Sequence, residues 1–198
     1  MTVDASRFLA EHGAVLRGHF KLSSGRHSDT YVEKARVLEH PHAVVDLARE
    51  IASWYQRVEV VVSPAVGAIP LGFAVALAGS ARFVYAERVN GAMALRRGFR
   101  LGPGERVLVV EDVITTGGSA SEVHDLVRTA GAEALGVAAL VDRSTGDVPF
   151  PLRALATVRA ETFDPAACPL CARGMPVEAP GSRHLGKETE PPASNPSA

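Results

Sequence analysis

An α/β fold is the class this chain predicts: a parallel sheet of about five strands with helices on both faces, preceded by an N-terminal hairpin. Three observations carry that reading. Short β-branched and aliphatic runs, Val58-Glu59-Val60-Val61-Val62 and Val107-Leu108-Val109-Val110 among them, have the length and composition of strands covered on both faces. Stretches with apolar residues at helical spacing alternate with them. Two of the strands end in glycine-, proline- or hydroxyl-rich turns, on the sheet edge where ligands of open α/β folds bind.

Composition narrows the class. At 198 residues and 46% hydrophobic content the chain is long enough for one well-packed domain with appendages. A net charge of −1 and a pI near 6.7 lack the strongly basic footprint of a nucleic-acid binder, so no nucleic-acid partner is expected. No apolar run approaches the ~20 residues of a membrane span, and Met1-Thr2-Val3-Asp4 is not a basic stretch followed by an apolar one. A cytoplasmic protein without a membrane partner is the expectation. Cys168 and Cys171 cannot supply a secreted disulfide framework.

Taken in order, residues 4–11 suit a short helix capped by Asp4, with Phe8 and Leu9 inward, ending near Gly13. Residues 14–22 and 30–36 alternate in polarity at period two around a polar loop at 23–29, which is a hairpin pattern. Pro41 fits the first turn of a helix to about residue 56, with Val44, Leu47, Ala48 and Ile51 on its apolar face. The strand at 58–62 runs into Ser63-Pro64-Ala65-Val66-Gly67, a turn that either merely joins strand to helix or lines a ligand, ahead of a helix at 68–78. A strand at 82–86 precedes the least regular long segment, 87–99, which is expected to be a loop and carries Arg88, Arg96 and Arg97. Beyond the central motif, Gly131 closes a helix, a strand at 134–141 ends in Asp142-Arg143, and residues 155–158 form a last short strand. A lone Arg143 at a strand end reads as a surface ion-pair partner or as a ligand group on the binding edge.

The chain is organised around Arg106-Val107-Leu108-Val109-Val110-Glu111-Asp112-Val113-Ile114-Thr115-Thr116-Gly117-Gly118-Ser119-Ala120. A buried strand ends in two carboxylates, and a hydroxyl- and glycine-rich loop leads into a helix starting near Ser119 with Val123, Leu126 and Val127 on one face. Backbone amides and the positive helix end at such a loop suit a phosphate. A glycine-rich turn that only closes a βα unit fits the loop alone. The acidic pair tips the balance, because two acids beside a phosphate cradle repel unless they grip hydroxyls or a metal. The motif has neither the lysine of a P-loop nor the spacing of a dinucleotide fingerprint.

Val109 to Ser119 resembles the phosphoribosyl pyrophosphate motif of type I phosphoribosyltransferases, and residues 4–184 resemble the orotate phosphoribosyltransferases of that family. The resemblance implies transfer of the phosphoribosyl group from phosphoribosyl pyrophosphate to orotate, giving orotidine 5′-monophosphate and pyrophosphate. It implies Mg²⁺ carried mainly by substrate, and a homodimer with shared active sites. It assigns Glu111 and Asp112 to the ribose hydroxyls, with Val113, Ile114, Thr115, Thr116, Gly117, Gly118 and Ser119 around the 5′-phosphate. Thr115 and Arg143 would bind orotate. Asp112 and Arg88 would be catalytic, Arg88 also touching phosphoribosyl pyrophosphate from a mobile loop at 87–99. That loop departs from the family's Arg-Lys-x-x-Lys-x-His pattern: Arg88 matches the arginine, but no Lys or His occurs from Glu87 to Arg106. Phe20-x-Leu22-x-Ser24-Gly25-x-x-Ser28 is similar to the family's N-terminal hood, with Tyr31 as its stacking candidate. Two alternatives stay open, a phosphoribosyltransferase for another nucleobase and a non-enzymatic regulator on the same fold.

One phosphoribosyltransferase domain is expected over 1–185, with the hood at about 1–37 and the core at about 41–160. The tail 186–198, rich in Pro, Ser and charge, is expected to be disordered. Cys168-Pro169-Leu170-Cys171 has the look of half a zinc site, yet two thiolates do not complete one and the nearest histidine in sequence is His184. No metal ligand is assigned to the chain.

Overall fold

The computed structural model describes residues 4–22 and 24–180, so His184 and the tail expected at 186–198 lie outside the described residues. In chain order the elements are α1 (Ala5–Glu11), β1 (Val15–Lys21), β2 (His27–Val32), α2 (Ala35–Leu38), α3 (Pro41–Ser53), β3 (Val60–Pro64), α4 (Ile69–Gly79) and β4 (Arg82–Val89). They continue with β5 (Ala92–Leu95), β6 (Arg106–Ile114), α5 (Gly118–Thr129), β7 (Glu133–Asp142), β8 (Leu152–Thr157), β9 (Thr162–Phe163) and α6 (Pro169–Ala172). The chain forms two compact units, one of residues up to 15 and 32–159, the other of residues 16–31 and those from 160 onward. The second unit's first stretch is narrower than the hood span of about 1–37.

The first unit holds a six-stranded sheet in the order β5-β4-β3-β6-β7-β8. Five strands are mutually parallel, as the unbroken apolar runs predict, and β5 joins the edge antiparallel to β4. Both faces are covered. Val61, Leu108, Val110, Ala138 and Leu140 pack with Leu47 and Ile51 of α3 and Leu71 and Val75 of α4. On the other face Val60, Val62, Val107, Val109 and Val137 pack with Val123 and Val127 of α5. Alternating side chains of β3 and β6 thus feed two cores, which is why these strands show no polar face.

Strand order fixes where a ligand would lie. From β3 the chain crosses through α4 to β4 on one side, whereas from β6 it crosses through α5 to β7 on the other. The order reverses between β3 and β6, so their carboxyl ends flank the crevice that doubly wound sheets use for ligands.

Two sequence expectations are corrected. Residues 87–99 are not an irregular loop: β4 runs on to Val89, turns at Asn90-Gly91 and returns as β5. Both turn residues have positive φ, 50° and 88°, the signature of the two-residue hairpin turn that Asn-Gly favours. The second correction is that β2 occupies residues 27–32 and residues 35–38 are helical, where a strand at 30–36 was expected. Apolar alternation could not reveal β2, because its buried Ser28 and Thr30 are polar and stay buried through hydrogen bonds: Ser28 Oγ donates to the Glu161 carbonyl, and Arg17 and Asp29 engage Thr30 Oγ1.

In the second unit β2 lies between β1 and β9. The pairing with β9 spans only His27 with Phe163 and Ser28 with Thr162.

Candidate functional site

β6 carries its own chemistry past the point where its apolar run ends. Glu111 and Asp112 remain within the strand and are buried, 8% and 4% exposed. Burial in first place, and the neighbouring Asp112 charge in second, push the Glu111 carboxyl well above the usual carboxylate range. Asp112 is held differently. Its Oδ2 accepts from Lys34 Nζ, and its Oδ1 accepts from the Val113 amide at 2.7 Å. Glu111 Oε1 accepts the Asp112 amide at 3.0 Å. The result is an acidic pair with split character, one carboxyl favouring its proton and one bound to a cation.

Lys34 is the residue that sequence reasoning missed. It precedes Asp112 by 78 positions, just before α2, and nothing in its local pattern distinguishes it from any solvated lysine. Gly67, at the end of the turn after β3, completes the contact. A Cβ built there would overlap Lys34 Nζ and Asp112 Oδ2, so only glycine lets that backbone approach the ion pair. The turn after β3 therefore meets the end of β6 at Asp112. Beside them Val66 is exposed.

After Ile114 the chain opens into the Thr/Gly loop. Thr115, Thr116 and Gly118 are exposed, Ser119 is half-buried, and Gly117 is buried. Gly117 caps α5 with φ 74°, and a Cβ on it would come within 3.1 Å of Phe150 and Val148. No side chain caps the helix and its first turn carries no acid, so its leading amides face the open loop. Val113 is half-buried, and the Ile114 side chain belongs to the core, 1% exposed; either residue would reach a ligand through backbone. Arg143 follows β7 on the same edge, and its amide donates to the Ile114 carbonyl at 2.8 Å, setting it next to Thr115. At 7% exposed it is no surface ion-pair residue.

Arg88 stands apart from this group in its bonding. It lies on β4 within the β4–β5 hairpin, donates to the Gly91 carbonyl, and forms a two-pronged pair with Glu122 of α5 at 2.8 and 3.2 Å. That guanidinium holds the Glu122 carboxyl below the usual range. Arg97 is likewise engaged, by Glu87 at 2.9 Å. The structure thus gathers Glu111, Asp112, Thr115 to Ser119 and Arg143 on one sheet edge, and ties Arg88 to α5.

What this edge can do chemically is bind a phosphate through amides and hydroxyls, a diol through carboxylates, and a planar anion through a guanidinium. Comparison with known proteins identifies the family. Residues 35–150 match the phosphoribosyl transferase domain family. An orotate phosphoribosyltransferase of Desulforamulus reducens is 50% identical over 177 residues, covering 87% of this chain and 93% of that protein. The Thermotoga maritima orotate phosphoribosyltransferase is 47% identical over 89% of this chain and 97% of that protein. Among solved structures, the Mycobacterium tuberculosis orotate phosphoribosyltransferase in complex with inorganic phosphate is 30% identical, with a TM-score of 0.59, covering 78% of this chain and 95% of that one. The chain belongs to the phosphoribosyltransferase family and, within it, to the orotate phosphoribosyltransferases.

Proposed function

We propose that this chain transfers the 5-phosphoribosyl group from phosphoribosyl pyrophosphate to N1 of orotate. The N1–C1′ bond forms, the bond from C1′ to pyrophosphate oxygen breaks, and the N1 proton is lost, leaving orotidine 5′-monophosphate and pyrophosphate. The carrying observation is the buried Glu111–Asp112 pair at the carboxyl end of β6, one step from an open helix N-terminus and from Arg143.

Charge separates in this reaction: the ribose ring becomes cationic and the leaving group anionic, so catalysis is positioning plus preorganised charge. Asp112, fixed by Lys34 and the Val113 amide, accepts from the ribose hydroxyls and lies on the negative side of the developing sugar cation. Glu111, whose burial favours the protonated carboxyl, adds a hydrogen bond donor beside it. The amides of residues 115–119 and the hydroxyls of Thr115, Thr116 and Ser119 take the 5′-phosphate. Arg143 addresses the orotate carboxylate with a planar fork, and Thr115 lines the base. Lys34 and the Gly67 backbone sit where the turn after β3 would meet pyrophosphate.

Mg²⁺ fits this donor set as a substrate-borne ion: two adjacent carboxyls, one already bonded to Lys34, make no cage, and pyrophosphate oxygens and water would hold it. Bound there, it supplies neutralisation of the leaving group. Arg88 is assigned to pyrophosphate as well, which requires exchange of its Glu122 pair for substrate. A homodimer with shared sites accompanies this reading, and the exposed apolar Phe73 and Leu77 on α4 offer a face for the second copy. No helix among the described residues is long and apolar enough to cross a membrane.

The test is a steady-state assay with phosphoribosyl pyrophosphate and Mg²⁺ across orotate, uracil, hypoxanthine, adenine and xanthine. Preference for orotate over the other four bases is expected. Preference for a purine would reassign the base, and no turnover with any base would leave the regulator reading.

A further inference from the structure

The second unit brings together four side chains that the reaction does not use. His19 on β1, His27 on β2, Cys168 at the N-cap of α6 and Cys171 within it converge so that one ligand atom from each lies within 4.8 Å of all the others. Their separations are those of a metal shell. Cys168 Sγ is 3.5 Å from His19 Nε2, Cys171 Sγ is 3.7 Å from the same nitrogen and 3.4 Å from His27 Nδ1, and the two nitrogens are 2.9 Å apart. A tetrahedral zinc with bonds of about 2.05 Å to nitrogen and about 2.3 Å to sulfur requires about 3.3 Å between nitrogens and about 3.6 Å between nitrogen and sulfur. Of these four separations the three nitrogen–sulfur ones fall within about 0.2 Å of that geometry, and the nitrogen pair would open by about 0.4 Å.

Protonation is arranged for a ligand. His19 Nδ1 lies 2.9 Å from the Met175 carbonyl, which only accepts, so Nδ1 carries the proton and Nε2 turns its lone pair to the cluster. This is the outer hydrogen bond that ligating imidazoles ordinarily make. His19, His27 and Cys168 are 1%, 7% and 4% exposed, and Cys171 is exposed.

The unit has little apolar core beside its hydrogen bonds. Among its described residues the buried apolar side chains are Phe20, Cys168 and Leu170, and β9 contributes a two-residue strand. Small units with so little core commonly rely on metals, disulfides or association. A disulfide between Cys168 and Cys171 would tie only neighbours in sequence. A metal ties both strands of the hairpin to the C-terminal segment.

We propose that His19 Nε2, His27 Nδ1, Cys168 Sγ and Cys171 Sγ form a structural zinc site that fastens residues 160–180 to the β1–β2 hairpin. Binding Zn²⁺ releases one proton from each thiol, and the His27 proton shared with His19 moves to Nε2 of its own ring, so two protons leave and two thiolates balance the ion. With four protein ligands the site has no open position for substrate, and its role is independent of the transfer reaction.

The test uses the full chain, purified with reducing agent and without chelator. Elemental analysis should find about one zinc per chain, and a mercurial thiol reagent should release it. After exchange with Co²⁺ the protein should show the intense visible bands and thiolate charge-transfer absorption of a tetrahedral sulfur–nitrogen site. The Cys168→Ser/Cys171→Ser and His27→Ala variants should each lose stoichiometric metal. Because these variants are at risk of misfolding, the wild-type measurements decide independently. Wild-type protein that takes up neither zinc nor cobalt when reduced, or a double cysteine variant that keeps its zinc, overturns the assignment.

Discussion

Replacing Arg143 tests the substrate assignment most directly. Orotate differs from uracil by a carboxylate, and the Arg143 backbone is pinned to Ile114 beside the Thr/Gly loop. At 7% exposed the guanidinium works largely out of water, so a charge-assisted contact of about 1.5–3 kcal/mol should be expressed undiluted. At tenfold per 1.36 kcal/mol, Arg143→Ala should lower kcat/KM for orotate on the order of 10- to 150-fold. Saturation by phosphoribosyl pyrophosphate should change little, because the contact lies on the base side. Arg143→Lys should recover only part, keeping charge but losing the planar fork. A cycle of wild type and Arg143→Ala against orotate and uracil isolates the contact from any general loosening of the buried position. The loss should be confined to orotate. Equal losses with both bases would make Arg143 structural, and full orotate efficiency in Arg143→Ala would refute the reasoning.

Further outcomes follow from particular contacts. Lys34→Met leaves the Asp112 carboxylate buried without its cation; because the Lys34 side chain is 38% exposed, the loss is discounted from the fully buried case to about 1–3 kcal/mol, seen as a Tm roughly 2–10 °C lower. An unchanged melting curve would show that the ion pair does not hold the site. Glu111→Gln should slow turnover while altering the pH dependence of stability. A carboxyl raised by burial binds more protons folded than unfolded, so the wild type loses stability as pH rises above the ordinary carboxylate range, and the variant should overtake it at neutral pH but not in acid. Gly118→Ala meets nothing nearer than Thr116 Oγ1 at 3.7 Å and should fold normally, yet raise the Michaelis constant for phosphoribosyl pyrophosphate on the order of tenfold. Gly117→Ala, at φ 74° and against Phe150, should instead destabilise the fold by about 1–2 kcal/mol in denaturant melts. Finally, mixing inactive Arg88→Ala with inactive Asp112→Asn should restore part of the activity if Arg88 serves a neighbouring copy. No recovery after confirmed subunit exchange would place each site within one chain.

Where the sequence was legible, one local pattern carried the answer. The Val107–Val110 run, the acids behind it and the Thr/Gly loop are contiguous, so a strand end, a carboxylate pair and a helix start could be read in a single window. Even there the boundary shifted, since β6 continues through Asp112 to Ile114 because its neighbour β7 goes on pairing with it as far as Asp142. The hairpin at Asn90-Gly91 was also written locally. Its signal is the Asn-Gly pair, while the three arginines around it add charge without fixing the backbone.

By itself, then, the sequence determined the alternation of elements, the two-faced burial of the parallel strands and the phosphate-type loop, all of which depend on residues within a few positions of one another. Only the tertiary structure decided which distant side chains share a space. It set Lys34 on Asp112 and Gly67 against both, and it brought His19 and His27 to Cys168 and Cys171 across more than 140 positions. Such meetings follow from strand order and crossover path, which place remote segments side by side while leaving no periodic trace in the chain.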